Sequence, residues 1–501
     1  MDYPDPDIIR VDDVYYMVST TMHFMPGGAI LKSYDLVNWE LVTYIFDKLD
    51  DTPAERLEQE NVNYGKGMWA PTIRYHEGRF YVAFISQSIK KTFLFTSENI
   101  EGPWKQSFIE GVYHDMSLLF DDDGRVFVVY GNREIHLTEL KPDLTGPLEG
   151  GVDKVIITEK DDVILGYEGS HFYKINGKYY IFLIHWPKST MLRTEACFVC
   201  DTVDGEYKGG DVLSDDRHFR HSGIAQGGIV DTPTGKWFSI MFQDSGAVGR
   251  MPILVPIHWE NDYPVFGING KAPDKFEIAS SRPYYRCEPL YTSDDFKYPE
   301  ANPRLKLQWQ WNHQTDMNFW RILPEGGLYE KTNKLCVNVT HAQNMLTQRM
   351  MWPKCEAEVT VDASNLKDGD VAGLCALQGN YGLVGITKIS GAYYIVNIVK
   401  KKEEGRPQMG SADYMPGVLV DQIRLKSPKV VLGIKANFDE DGDRIGFFYL
   451  NGNRFSKVGQ VHPMFFGLDH FCGARFGLFI YSTKEIGGSV VFTDFIYRPE
   501  N

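Results

Sequence analysis

A short phrase occurs five times in the first half of this chain, and it limits the fold more than any other feature. Each copy joins an apolar strand to an aromatic-rich strand across a polar or glycine-bearing turn. The copies open at Asp5 (DPDIIRVDDVYYMV), Ala70 (APTIRYHEGRFYVAF), Asp115 (DMSLLFDDDGRVFVVY), Glu168 (EGSHFYKINGKYYIF) and Gln226 (QGGIVDTPTGKWFSIMF). The turns Glu77-Gly78, Asp123-Gly124, Asn176-Gly177 and Thr234-Gly235 supply the positive φ that a tight hairpin requires. Successive copies start 45 to 65 residues apart, which leaves room for two further strands in each unit, as in SYDLVNWELV (33–42) and TFLFTSENIEGPW (92–104). Four strands per unit and five units describe an all-β, five-bladed propeller. A plain sandwich does not repeat a hairpin with this regularity, and residues 1–285 hold no convincing amphipathic helix of three turns.

In a propeller the innermost strands all run the same way along a central channel, so the residues just before them ring one mouth. Three positions ahead of the first apolar strand residue stand Asp5, Ala70, Asp115, Glu168 and Gln226. Three carboxylates and one amide therefore converge on one funnel. Like charges at close range raise one another's pKa, and perturbed carboxyls in a cleft mark acid–base chemistry. Read singly, an Asp or Glu before a strand is a turn residue or a solvated charge. Three in one register argue for a site. Glycoside hydrolysis needs one protonated and one ionised carboxyl group, which such a cluster provides.

With 501 residues the chain exceeds a single core, so at least two domains are expected. The net charge of -15 opposes nucleic acid or an anionic membrane as partner, since both select clustered Lys and Arg. Aromatics at 14% favour strands first, and flat rings also stack on sugar faces. Seven scattered cysteines make no disulfide framework; Cys197 and Cys200 form a lone C-x-x-C without a second pair, so reduced, buried thiols are expected. No apolar stretch reaches the roughly 18 residues of a membrane span. No basic-then-apolar leader opens the sequence as given, which reads as cytoplasmic.

Tyr3-Pro4-Asp5-Pro6-Asp7 before a Tyr-Tyr strand, Trp69-Ala70-Pro71, His114-Asp115-Met116-Ser117-Leu118, and Glu168-Gly169-Ser170-His171 before the run from Tyr173 to Tyr180 stand in order on this register. Together they resemble glycoside hydrolase family 43, in the β-xylosidase and α-L-arabinofuranosidase branch with a C-terminal β-sandwich. The resemblance implies an inverting mechanism with Asp5 as general base and Glu168 as general acid. Asp115 would orient Glu168 and raise its pKa. It also implies that Trp69 forms a wall of the sugar pocket and that Arg250 contacts sugar hydroxyls and the carboxylates. Phe24 would add a second wall. Many relatives carry histidine where Gln226 stands, near an axial calcium. A Gln carbonyl can ligate calcium directly or through water, so an axial ion is left open and no cofactor is otherwise required.

Near residue 286 the blade pattern stops. Residues 287–303 are polar and turn-rich and read as a linker between a catalytic propeller (1–286) and an accessory domain (304–501). Alternating strands at 355–361, 371–377, 393–399, 430–436, 445–449, 475–481 and 490–497 predict a two-sheet antiparallel sandwich, lectin-like by the same resemblance. The segment MFFGLDHFC (464–472) is the candidate to reach the pocket rim. The run Asp439 to Asp443 lacks the Glu of a calcium loop at its twelfth position, Leu450, and reads as a hairpin turn. The expected activity is exo-hydrolysis of terminal pentosyl residues from xylan-derived oligosaccharides. A non-catalytic carbohydrate-binding propeller and an endo-arabinanase are the alternatives.

Overall fold

The repeated phrase folds as the hairpin that opens each blade. In the computed structural model, which describes residues 1–58, 62–300, 303–400, 410, 413–439 and 442–500, five four-stranded antiparallel sheets follow one another along the chain. Blade 1 comprises Asp7–Val11, Val14–Ser19, Gly27–Ser33 and Trp39–Phe46; blade 2 Met68–His76, Arg79–Ser86, Lys91–Ser97 and Lys105–Ile109; blade 3 Ser117–Phe120, Val126–Asn132, Glu134–Leu140 and Asp153–Thr158. Blade 4 comprises Val163–Ile175, Lys178–Pro187, Thr194–Cys200 and Lys208–Leu213, and blade 5 Ile224–Asp231, Trp237–Asp244, Arg250–Glu260 and Tyr263–Phe266. The turn residues behave as their type dictates. Glu77 and Gly78 sit at φ 47° and 77°, Asn176 and Gly177 at 51° and 80°, the pair of positive values that matches a two-residue turn to strand twist.

A single hairpin cannot bury both of its faces, so each blade buries apolar residues against the next. Ile30 and Phe46 of blade 1 meet Ile73, Phe84 and Phe95 of blade 2; Tyr15 and Leu31 of blade 1 meet Val230 and Ile240 of blade 5. Every blade is one contiguous stretch of chain, and no strand is shared to lock the ring. Closure between blades 5 and 1 rests instead on the Arg10–Asp231 ion pair at 2.7 Å, on Tyr3 N–H donating to the Arg250 carbonyl at 3.0 Å, and on Gly228 N–H donating to the Pro6 carbonyl at 3.3 Å.

The axis holds a polar knot. The Asp7 carboxylate, fully buried, accepts from Thr72 Oγ1 (2.9 Å), Ile73 N–H (2.8 Å) and Arg74 Nη1 (2.7 Å), and its other oxygen lies 3.0 Å from His171 Nδ1. Arg74 also donates to Ser117 Oγ and to the carbonyls of Leu118 and Phe172. One ion pair therefore ties blades 1 to 4, and Tyr173, whose hydroxyl accepts from Ile229 N–H at 3.0 Å, extends the tie to blade 5. Burial alone would raise the Asp7 pKa, but Arg74 and His171 hold it well below the usual carboxylate range.

The second half is a sandwich of an eight-stranded and a seven-stranded antiparallel sheet. All seven expected strands are present. The edge of the larger sheet is Phe24–Met25, a piece of the first half that pairs with Gln310–Asn312. Residues 267–309 do not hang free between the halves. Arg282 pairs with Asp13 at 2.7 Å, Glu288 N–H donates to Glu40 at 2.8 Å, and Asp294 and Phe296 are buried in the sandwich. Glu440 and Asp441 of the acidic run lie outside the described residues; Asn437 ends one strand and Arg444 begins the next on either side of them. Among the described residues there is no α-helix, and no helix is long and apolar enough to cross a membrane. All seven cysteines are free thiols.

Removing one partner of a buried ion pair strands the other charge, at a cost of about 3–5 kcal/mol. Arg74→Met and Asp7→Asn are each expected to destabilise the propeller by about that amount in denaturant unfolding. The double variant should lose clearly less than the sum of the two.

Candidate active site

The five ring positions share one backbone device. Asp5, Ala70, Asp115 and Gln226 all lie at positive φ (48°, 35°, 49° and 58°), and in blade 4 the same role falls to Gly169 at 64°. The inner strands of blades 2, 4 and 5 also slip register at this point, between Trp69 and Thr72, Glu168 and His171, and Ala225 and Gly227. Left-handed backbone at a non-glycine residue stores strain of order 1–3 kcal/mol and persists only where surroundings enforce it. Bulges of this kind re-aim side chains beside active sites.

Asp5, Asp115 and Glu168 come together. Asp5 is 7% exposed, Asp115 6%, and the Glu168 side chain 16%. The Asp5 carboxylate receives Arg250 Nη1 at 2.6 Å on one oxygen and Thr20 Oγ1 at 2.8 Å on the other, and Thr20 Oγ1 in turn accepts the Ala70 N–H at 2.8 Å. Burial pushes the Asp5 pKa above the ordinary carboxylate value, with Arg250 and Thr20 pulling against it. Asp115 is likewise raised, by burial first; His114 opposes the rise, and the charges of Glu168 and Asp5 add to it.

Glu168 is held differently. His114 Nε2 lies 3.3 Å from Glu168 Oε2, the Asn132 amide donates to the same oxygen, and His114 Nδ1 lies 3.7 Å from Asp115 Oδ1. The Asp115 charge raises the His114 pKa, against burial, to about 9. The His114 imidazole thus lies between two carboxyl groups. Its partners were hidden from sequence reasoning, although His114 stands inside a motif that reasoning had singled out.

Arg250, 3% exposed, occupies the seam between the two halves of the molecule. Its N–H donates to Asp2 Oδ1 at 2.7 Å, and the second Asp2 oxygen accepts Gly473 N–H at 2.7 Å. Gly473 packs so closely that an added Cβ would stand 2.1 Å from the Val248 carbonyl oxygen, so only glycine fits. The sandwich reaches the site through Phe471, from the segment 464–472. The Arg250 guanidinium lies 4.4 Å from the Phe471 ring centroid, and Phe471 faces Trp69 at 5.5 Å and 54°. Trp69, half-buried, also stands 6.4 Å from the His114 ring. Trp69 and Phe471 therefore form an aromatic pair beside Arg250 and His114. Phe24, expected as a second wall, is 1% exposed and carries the Arg475 guanidinium 3.4 Å from its ring centroid; it lies in the packed layer beneath the site because its strand joins the sandwich sheet.

Gln226 is buried, donates its N–H to Glu195 Oε2 at 2.8 Å and packs against Gly169. On the axis the Asp7 carboxylate is already taken up by the Arg74 guanidinium. Two other donor groups come within 4.8 Å, His114–Asp115–Glu168 and Glu159–Asp161–His185. In both, a histidine turns each ring nitrogen toward a carboxyl group; His185 meets Glu159 at 3.0 Å and Asp211 at 2.9 Å. A cavity of about 750 Å³ opens at the seam of blades 5 and 1. Met1, Met17, Leu31 and Phe276 line it and the three carboxylates do not, so its size does not mark the chemistry.

Residues 1–264 match the profile described as "Glycosyl hydrolases family 43", and residues 293–498 the one described as "Beta xylosidase C-terminal Concanavalin A-like domain". A "Beta-xylosidase" of Formosa agariphila is 24% identical over 568 residues, covering 99% of this chain and 88% of that protein. A "Xylosidase/arabinosidase 43B" of Humicola insolens is 25% identical over 546 residues, covering 99% and 96%. The solved structure of a "Bifunctional GH43-CE" from Bacteroides eggerthii superposes with a TM-score of 0.91 at 40% identity; the match covers 100% of this chain and 63% of that one, so this chain spans less than two thirds of that protein.

Two outcomes follow from the geometry. Because its pKa is raised from 6.5 to about 9, His114 contributes stability that is lost as pH rises through 9, and protonation of Asp115, raised to about 7, weakens the pair from the acid side. The difference in unfolding free energy between the wild type and His114→Gln should therefore be largest near pH 8 and vanish by about pH 10. Phe471→Ala removes a ring packed on Arg250 and Trp69, a contact worth about 1–2 kcal/mol, and should lower kcat/KM by about 5- to 30-fold.

Proposed function

The chain belongs to glycosyl hydrolase family 43, and from that membership we propose an inverting, exo-acting glycosidase that releases terminal β-D-xylosyl or α-L-arabinofuranosyl residues from xylan-derived oligosaccharides. The observation that carries this reading is the gathering of Asp5 and Glu168 at one mouth in unlike surroundings. Asp5 is clamped by a guanidinium and a hydroxyl, Glu168 by an imidazole and an amide. Carboxyl groups whose environments differ in this way are suited to divide acid and base work between them.

In the proposed reaction, water attacks the anomeric carbon from the face opposite the leaving group. Asp5 takes the proton of that water, and its raised pKa makes it the stronger base. Glu168 gives its proton to the glycosidic oxygen as the carbon–oxygen bond breaks, so the sugar leaves with inverted configuration. Asp115 lies beside both and holds His114, which in turn meets Glu168. Trp69 and Phe471 flank the sugar, and Arg250 reaches its hydroxyls while fixing Asp5. This chemistry requires no cofactor.

Exo action is favoured by a nearly closed floor, with Asp5 and Asp115 almost fully buried, and by the sandwich loop that brings Phe471 against Trp69. A chain end fits such a dead end, whereas a polymer running through needs an open groove. Relatives bearing the names β-xylosidase and xylosidase/arabinosidase support the two pentosyl classes.

Aryl β-D-xylopyranosides and α-L-arabinofuranosides, assayed side by side, test the substrate. Asp5→Asn and Glu168→Gln should each lower kcat by about 10²- to 10⁴-fold with folding intact. Proton NMR of freshly released sugar should show the anomer opposite to that of the substrate. A retained anomer, or an Asp5→Asn variant keeping more than about a tenth of the rate, would remove the base role from Asp5.

A further inference from the structure

Both hydrogen-bond donors that reach the Glu168 carboxyl end on one of its oxygens. His114 Nε2 and Asn132 Nδ2 address Oε2, and among the described residues no hydrogen bond reaches Oε1. A carboxylic acid that delivers a proton must keep one oxygen free to carry it and must be prevented from turning. Crowding both donors onto Oε2 does the two things together.

Resting on the reading of Glu168 as the acid, we propose that His114 is a positioning residue for proton delivery: it holds Glu168 through Oε2 so that Oε1 meets the oxygen of the departing sugar. Blade 3 supplies the clamp and blade 4 the acid. His114 precedes the first strand of blade 3, Asn132 ends the second, and the two turns are stitched by Gly131 N–H donating to the His114 carbonyl at 2.9 Å. Asp115 lies on the opposite edge of the imidazole, its Oδ1 3.7 Å from Nδ1, so a turn of the ring would move it away from both carboxyl groups. The third residue of the carboxylate cluster thereby reaches the acid through a histidine. His114 is itself 28% exposed on its side chain and stands near Trp69, close enough to the pocket for the clamp to be completed around bound sugar.

Leaving-group dependence separates this role from a merely structural one. Departure of 2,4-dinitrophenolate needs almost no protonation, whereas departure of a sugar alcohol needs it fully. Rates are compared on 2,4-dinitrophenyl β-D-xylopyranoside and on xylobiose, or on the matching α-L-arabinofuranosides if those are the faster substrates. His114→Ala should lose about 10- to 100-fold in kcat on the disaccharide, with KM little changed, and stay within about threefold on the dinitrophenyl substrate, which also reports that the variant is folded. His114→Gln, whose amide can donate to the same oxygen, should recover most of the disaccharide rate. Equal losses on both substrates, no loss on either, or no recovery with Gln would overturn the assignment. Glu168→Gln run in parallel keeps the two ideas apart. If its loss is also blind to the leaving group, the acid is misassigned; if only the His114 variants are blind to it, the acid stands and the clamp falls.

Discussion

The buried ion pair between Asp7 and Arg74 is the constraint around which the first half of the molecule is arranged. Many closed β-structures lock by sharing a strand across their seam. Here every blade is contiguous in sequence, and the ring holds because a carboxylate of blade 1 and a guanidinium of blade 2 engage side chains or carbonyls of blades 3 and 4 on the axis. A charge pair without water is stable only when its remaining hydrogen-bonding capacity is satisfied. Asp7 accepts from a hydroxyl, an amide and the guanidinium, and it lies within hydrogen-bond distance of the His171 ring, which meets that condition. Asp5, two residues upstream, inherits its position from this anchor.

The site above the axis is costly in the way functional sites usually are. Four non-glycine residues sit in left-handed backbone, and two carboxyl groups are almost wholly removed from water. What keeps them there is the joint between the halves. Asp2 receives the N–H groups of Arg250 and Gly473, Gln378 donates to the carbonyls of Ala247 and Cys472, and Tyr64 stacks on His470 at 3.8 Å. The sandwich is in this sense a wall of the site: its loop supplies Phe471, and its strand entrance pins the loop that carries Arg250.

Much of this was legible in the sequence because a propeller converts linear register into spatial convergence. The same offset in each copy picks out Asp5, Ala70, Asp115, Glu168 and Gln226; in the structure Ala70 bonds to the Thr20 that holds Asp5, Gln226 packs against Gly169, and Asp115 feels the charges of Glu168 and Asp5. What was not legible depends on partners far along the chain. Nothing local distinguishes Asp7 from Asp5, or Arg74 from a solvated strand arginine. Phe24 looked like a pocket wall from its loop, but it pairs with Gln310–Asn312, nearly three hundred residues on, and is drawn into the core. The strand Gly382–Ile389 escaped notice because six of its eight residues are buried on both faces, which erases the alternation that marks a half-exposed strand. The stretch 287–303 looked like a linker from composition, yet Asp294 and Phe296 are packed because the sandwich begins around them.

The proposed base Asp5 and Phe471, the aromatic that faces Trp69, lie far apart along the chain, and Asp2 is bonded to Gly473 beside them. On the ribosome, blades can complete one after another as each stretch emerges, but the mouth of the ring has no finished outline until residues beyond 470 are free. Until then Arg250 and Trp69 lack the Phe471 ring that packs against both, and the mouth stays open on that side.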